Sequence, residues 1–283
     1  MKKIQYLLTA CGLLLAGCSE TPGGDAAQPA PAPVKYVSLR ISAAAGTRAG
    51  LDGDLRVKFR PGDMIDINGR PYEVFLLDDG SAAVPEVPEA DRYEAVFPSA
   101  YNFLQQTREG ANFKLPLAQF YAGPGTFGHN AMPMYGEATG IDGDKGYVNL
   151  TMRTLCGVLK LTLKGSATIN TILVEDRSGA PVSGYATLGT DGEGNKILVP
   201  GTASSARAYR LVMNCGGAGE GVALNEGGTD FYIVMPAREY ASGLKIRITD
   251  RSHRAMTVDS PTPRTIRRNV VTETPAIEYA PDA

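Results

Sequence analysis

A hydrophobic period of two constrains the fold of this chain more than any other feature of the sequence. Apolar residues alternate with polar ones in runs that begin near residues 37, 55, 93, 155 and 244. Alternation of this kind indicates strands with one buried and one solvated face. Turn-forming pairs separate the runs, among them Asp52-Gly53, Pro61-Gly62, Asn68-Gly69, Asp142-Gly143 and Asp191-Gly192. No long stretch keeps the spacing of an amphipathic helix, so the sequence predicts an all-β fold of antiparallel β-sandwiches.

The length and one polar turn predict two such sandwiches. The chain has 283 residues, enough for two domains of about 100–200 residues each. Residues 141–146 form a polar, glycine-containing turn, and a strongly alternating pair of runs follows it. We therefore predict an N-terminal domain over residues 34–146 and a C-terminal domain over residues 147–283.

The N-terminus has the pattern of a lipoprotein signal. Lys2 and Lys3 precede an apolar run over residues 7–16, which is too short to cross a bilayer as a helix. Leu15-Ala16-Gly17-Cys18 then predicts removal of residues 1–17 and lipidation of Cys18; the alternative is an ordinary secretory signal that contains a cysteine. Residues 19–33 are rich in proline and lack large apolar side chains, so residues 18–33 are predicted to form a flexible tether.

Two further cysteines, Cys156 and Cys215, lie in the predicted C-terminal domain. In an oxidising compartment they could form a disulfide, and otherwise they are two small, separately buried thiols. The sequence leaves both alternatives open. No C-x-x-C motif is present, which argues against a redox site.

The search for catalytic and nucleic-acid-binding features is negative. Lys and Arg number 28 against 30 Asp and Glu, and this balance argues against a nucleic-acid partner. Histidine occurs twice, and the hydrolase, metalloprotease and phosphate-binding motifs are absent. Acidic turns at Asp142 and Asp191 lack the glycine and glutamate of a calcium loop. We expect no enzyme, with no catalytic residue, no metal and no cofactor.

Several short segments stand out along the chain: Thr47-Arg48-Ala49 and residues 59–65, 132–136, 155–161, 215–224 and 231–236. Taken in order, these segments resemble the fimbrillin family, the lipoprotein-derived subunits of type V donor-strand pili. The resemblance implies two transthyretin-like β-sandwich domains and a structural or adhesive role, as a stalk, anchor or tip subunit or as an adhesin. It also implies an outer-membrane lipoprotein at the cell surface, with a palmitate-bearing anchor at Cys18.

The resemblance further implies a mode of assembly. In polymerising members an Arg-specific protease removes the first strand, and a strand of the next subunit fills the groove by β-strand addition. Arg48 is the candidate cleavage residue in this chain. The implied partners are other fimbrial subunits, the outer membrane through the lipid, and a ligand on a host or bacterial surface.

A second hypothesis is a glycan-binding surface lipoprotein of a nutrient-capture system. Sugar-binding surfaces often use aromatic platforms, but the chain has no Trp. Its 13 Tyr residues lie mostly in alternating runs, where strand propensity explains them without a ligand.

Overall fold

The computed structural model describes residues 34–43, 59–99, 113–141, 146–201, 209–216 and 220–281. The regular structure of these residues is β-strand, and they contain no α-helix. The prediction of an all-β fold is therefore confirmed. None of the described residues forms a helix that is long and apolar enough to cross a membrane.

The strands in chain order are β1 (Tyr36–Ala43), β2 (Met64–Ile67), β3 (Arg70–Glu73), β4 (Phe75–Leu76), β5 (Ala82–Pro88), β6 (Arg92–Phe97), β7 (Phe113–Leu115), β8 (Ala118–Phe120), β9 (Met134–Thr139), β10 (Tyr147–Thr154), β11 (Cys156–Lys164), β12 (Thr168–Asp176), β13 (Gly184–Thr190), β14 (Lys196–Pro200), β15 (Arg210–Asn214), β16 (Val222–Ala223), β17 (Thr229–Pro236), β18 (Arg238–Tyr240), β19 (Leu244–Asp250), β20 (Ala255–Ser260), β21 (Arg264–Ile266), β22 (Val271–Glu273) and β23 (Ile277–Glu278). The alternating runs that begin at residues 37, 93, 155 and 244 correspond to β1, β6, β11 and β19. The run that begins at residue 55 lies mostly outside the described residues.

The N-terminal strands form one eight-stranded sheet in the order β3-β2-β6-β9-β10-β1-β5-β4. β10 joins two parts of this sheet, β3-β2-β6-β9 and β1-β5-β4. It pairs with β1 as far as Met152 and with β9 through Arg153 and Thr154. Inward side chains from both parts belong to one hydrophobic cluster, which we call the first core. The first core therefore fills the space enclosed by this sheet.

The C-terminal strands enclose a second hydrophobic cluster, the second core. One layer is the sheet β17-β11-β22, and β23 also pairs with β11. The other layer has the order β20-β19-β12-β15-β8, and β16 also pairs with β12. Leucines of β11 and isoleucines of β12 and β19 are fully or almost fully buried between these layers, as expected for two sheets packed face to face.

Two short strands connect the halves of the sequence. β7 pairs with β13 of the C-terminal half, and β8 pairs in parallel with β15. Two strands of the C-terminal half, β11 and β17, contribute to both cores. Val158, Tyr232 and Val234 belong to the first core, whereas Leu159 and Phe231 belong to the second.

Sheet membership changes at Leu155. β10, which follows the predicted boundary at residue 146, still pairs with β1, and β11 is the first strand of the next sheet. Residues 142–145 of the predicted polar turn lie outside the described residues, and β9 and β10, the strands before and after them, both belong to the eight-stranded sheet. We propose Leu155, between β10 and β11, as the boundary between the sandwiches.

Candidate assembly site

β1 lies in the interior of the eight-stranded sheet, between β5 and β10. Its residues pair in parallel with β10 from Ser38 to Ala43, and antiparallel with β5 from Tyr36 to Ile41. Both sides of its backbone are therefore hydrogen-bonded. Loss of β1 would leave a row of unpaired N–H and C=O groups on each neighbour, which is the kind of edge that captures another strand.

The inward face of β1 is apolar and buried. Val37, Leu39 and Ile41 all belong to the first core, and Leu39 and Ile41 are 0% exposed. Burial of a Val, Leu or Ile side chain contributes about 1.5–3 kcal/mol relative to exposure. These three side chains therefore contribute to holding β1 in place, and they are the residues that the alternation of the sequence predicts to be buried.

A bulge in β5 keeps its apolar side chains facing β1. Val37 is opposite Val87, but Leu39 is opposite Val84, so β5 has one residue more than β1 at this point. Glu86, within the bulge, has a left-handed φ of 55°. Without the extra residue, Val84 and Val87 would point to opposite faces; with it, both are buried.

We call the space that β1 occupies between β5 and β10 the β1 slot. Arg40 lies on the outward face of β1 and contacts residues on both sides of this slot. Its Nη1 donates to the Tyr147 hydroxyl of β10 and its Nε to the Ser81 Oγ, each at 3.3 Å, and its Nη2 pairs with Asp79. Hydrogen bonds to Tyr147 and Asp79 raise the pKa of Arg40. Since the pair with Asp79 is solvent-exposed, its role is to fix geometry and it contributes little stability.

The predicted modification sites lie outside the described residues. Cys18, the signal over residues 1–17 and the tether over residues 18–33 precede them, and Arg48 lies in the gap after β1. In the sequence this gap begins directly after Ala43, the last residue of β1. A cut after Arg48 would therefore break the covalent link between β1 and the strands that follow it in the sequence.

The two C-terminal cysteines are free thiols in the structure. Cys156 opens β11 and belongs to the first core, whereas Cys215 follows β15 and belongs to the second. Burial raises the pKa of Cys156, and it raises the pKa of Cys215 to about 12. Buried thiols of this kind are inert at neutral pH.

The segment 59–65 folds around a buried carboxylate. The Oδ2 atom of Asp63 accepts the Arg60 backbone N–H at 2.7 Å, and Oδ1 lies 2.7 Å from Nε2 of His129. The Asp63 side chain is 4% exposed, and Gly62 has the positive φ that the turn needs. His129 is distant in sequence and no motif pointed to it, so this contact was missed.

Among the described residues, no group of three or more His, Cys, Asp or Glu side chains is placed to hold a metal ion.

No protein-family model and no curated protein matches the chain. Several solved structures are similar to it. A proposed cell adhesion protein from Bacteroides uniformis has 16% identity and a TM-score of 0.47 over 87% of this chain and 95% of that one. One from Bacteroides ovatus has 9% identity and a TM-score of 0.47 over 87% and 92%.

The tip fimbrial protein Mfa3 from Porphyromonas gingivalis, truncated at its C-terminus, has 12% identity and a TM-score of 0.35 over 89% of this chain and 97% of that one. These structures are described as fimbrial or adhesion proteins and not as enzymes. At such identities and TM-scores the likeness by itself assigns no function to this chain.

Proposed function

We propose that this chain is a structural and adhesive cell-surface protein, a fimbrillin-like pilus subunit or adhesin that assembles by β-strand addition. The observation that carries the proposal is the position of β1. It is an interior strand at the N-terminal end of the described chain, paired on both sides and buried on one face. An incoming strand with the same alternation would recover the same hydrogen bonds and fill the same pockets.

Cleavage after Arg48 is the proposed trigger. It would cut the covalent link between β1 and the sheet but leave the strand held by its three buried side chains and its backbone hydrogen bonds. Those contacts make spontaneous release of the peptide slow. Exchange then depends on a competing strand from another subunit, so assembly should depend on protein concentration.

Lipidation of Cys18 is the proposed anchor. It would hold the uncleaved chain on the outer membrane, with residues 18–33 as a tether between the lipid and β1. More than one acyl chain is needed for stable anchoring. A cut after Arg48 would detach the folded body from this anchor, so the proposed trigger couples release from the membrane to assembly.

The test is cleavage of the chain from Ser19 onward with an Arg-specific protease, followed by sizing over a range of concentrations. We expect a cut after Arg48, loss of the peptide that carries β1, and growth of oligomers at the higher concentrations. Arg48→Lys is the matched control, because it keeps the positive charge but removes the arginine that the protease requires. It should stay uncut and monomeric.

Three results would contradict the proposal. One is a cut protein that keeps its peptide and remains monomeric at every concentration. Another is a cut protein that loses the peptide and still does not assemble. The third is equal polymerisation of the uncut Arg48→Lys variant.

A further inference from the structure

The β1 slot can select between incoming strands only through contacts on its outward face. Backbone hydrogen bonds to β5 and β10 form with almost any sequence. The three buried positions of β1 are all aliphatic, so they accept any strand that places apolar residues at alternate positions. Discrimination between two strands of this kind therefore needs a polar contact on the other face.

Arg40 makes such a contact. It is partly buried, whereas the other outward residues of β1 are exposed. Its guanidinium spans the slot, from the Tyr147 hydroxyl of β10 on one side to Asp79 and Ser81, which precede β5, on the other. The guanidinium carbon also lies 5.9 Å from the centre of the Tyr147 ring, within the range of a cation–π contact.

The carboxylate that receives Arg40 is positioned by its own turn and not by β1. Oδ1 of Asp79 accepts the Ser81 backbone N–H at 3.1 Å and the Ser81 hydroxyl at 2.5 Å, and Oδ2 is the atom that faces the guanidinium. The Leu77 N–H donates to the Ser81 carbonyl at 2.9 Å, and the Gly80 N–H donates to the Leu77 carbonyl at 3.0 Å. These bonds remain when β1 leaves, so Oδ2 stays directed at the empty slot.

This side of the slot carries negative charge at neutral pH. The hydrogen bonds from Ser81 lower the pKa of Asp79, and the contact with Arg40 lowers it further. Asp78 of the same turn is another exposed acid. A basic side chain at the position of Arg40 is therefore attracted, and an acidic side chain at the same position is repelled.

We propose that Asp79, Ser81 and Tyr147 make the β1 slot selective for a strand that carries arginine between its second and third apolar residues. The inference rests on the proposed function and names the chemistry of the partner, a strand of another subunit with alternating apolar residues and an outward guanidinium. Arginine fits better than lysine, because its rigid fork of donors reaches acceptors on both sides of the slot at once.

The selectivity comes from rejection of wrong strands as well as from attraction of the right one. The pair of Arg40 with Asp79 is exposed to solvent, and such pairs add little affinity. Specificity is a difference between two affinities, however, and like-charge repulsion against an acidic strand enlarges that difference.

The test is strand exchange into the chain from Ser19 onward, after cleavage at Arg48 and inhibition of the protease. Fluorescent peptides of residues 34–43 are added in the natural sequence and with Arg40→Gln or Arg40→Glu, and anisotropy measures their binding. We expect the Gln peptide to bind a few-fold more weakly than the natural one and the Glu peptide about tenfold more weakly, since an exposed attraction or repulsion changes affinity a few-fold. About 0.5 M salt should reduce both differences by screening.

Variants of the cut chain separate the contact from a general effect of charge. Asp79→Asn keeps the shape of the side chain and should reduce the difference between the natural and Glu peptides to about threefold or less. Asp79→Lys should reverse the preference, so that the Glu peptide binds more tightly. Asp78→Lys is the matched control, because it makes the same charge change on the neighbouring exposed acid, and it should keep the natural preference.

The possible failures are distinguishable. Equal binding of the three peptides to the unchanged cut chain would overturn the selectivity and leave strand exchange standing. Equal shifts of preference in Asp79→Lys and Asp78→Lys would also overturn it, because they would show a general effect of charge. If no peptide enters the slot, the natural one included, strand exchange itself fails and this inference falls with the proposed function.

Discussion

At the scale of single residues, burial determines the chemistry of the two C-terminal cysteines. Each thiol is surrounded by apolar side chains of its own core, and burial raises both pKa values above the usual 8.5 or so. In the unfolded chain the same thiols would ionise near that ordinary value. The folded state therefore keeps protons that the unfolded state loses, and stability falls as pH rises above about 8.5.

This difference predicts how alanine variants behave in alkali. Cys156→Ala and Cys215→Ala should each reduce the loss of stability above pH 8.5, by up to about 1.4 kcal/mol per pH unit for each thiol removed. The measurement is the free energy of unfolding in urea at pH 7.5 and pH 9.5. Equal losses in the variants and in the unchanged protein would contradict it.

Labelling supplies an independent check on the same two residues. Without reductant, the native protein should react slowly with a thiol reagent and the denatured protein should show two free thiols. A denatured, unreduced protein with no reactive thiol would establish the disulfide instead.

Residue-scale contacts also show what the sequence could not predict. The sequence predicts the Pro-Gly-Asp turn that contains Asp63, but the contact of Asp63 with His129 joins segments that no local pattern relates. At Gly157, the alternation of β11 alone would allow any small residue. Only the fold shows that a Cβ there would lie 2.2 Å from the Arg267 carbonyl oxygen, and this close approach requires glycine.

At the scale of elements, one side chain satisfies backbone groups at a buried strand edge. β17 is the outer strand of its sheet, and Gln119 of β8 pairs with the Val234 backbone at that edge. The Gln119 Nε2 donates to the Val234 carbonyl at 2.7 Å, and its Oε1 accepts the Val234 N–H at 2.9 Å. The amide thus replaces a neighbouring strand at one position and satisfies two backbone groups that are buried away from water.

Removal of this amide should destabilise the protein clearly. Gln119 is 2% exposed, so Gln119→Met would leave a buried donor and a buried acceptor of Val234 unpaired. We expect a loss of about 2–6 kcal/mol, since each of the two unsatisfied groups costs about 1–3 kcal/mol. Denaturant unfolding measures it. The adjacent Phe120 is 61% exposed, and Phe120→Ala is the control, expected within about 0.5 kcal/mol; equal effects of the two changes would refute the role of the amide.

Alternation predicted the buried faces of the strands but not their neighbours. In β1, the burial of Val37, Leu39 and Ile41 follows from the period of two. A period of two contains no information about pairing, so the parallel ladder with β10 could not be predicted. The same limit applies to β7 and β8, which are too short for a pattern and pair with strands of the C-terminal half.

At the scale of the whole molecule, Cys18 governs attachment to the membrane in the proposed function. Cys18→Ala should abolish lipid attachment and move the protein from the membrane fraction to the soluble one, because loss of the acyl chains removes the hydrophobic anchor. Fractionation with metabolic labelling by a fatty acid measures both properties. A variant that stays in the membrane as an integral component would contradict the lipoprotein prediction.

The two cores share strands, and this arrangement couples them. β11 and β17 each contribute side chains to the first core from one face and to the second core from the other. β8 and its Gln119 add a further link, since the segment comes from the N-terminal half but pairs with β15 and β17. Unfolding of one core would therefore expose the strands that support the other.

This coupling predicts one cooperative unfolding transition for the whole folded body, although a chain of this length often unfolds in separate domain steps. Leu150 of β10 is buried in the first core and Leu161 of β11 in the second. Leu150→Ala and Leu161→Ala should each cost about 2–5 kcal/mol and lower the midpoint of the same single transition. Calorimetry tests this by comparing the calorimetric with the van't Hoff enthalpy. If Leu150→Ala instead splits the transition and leaves a later step at the original temperature, the two sandwiches unfold independently and the shared strands do not couple them.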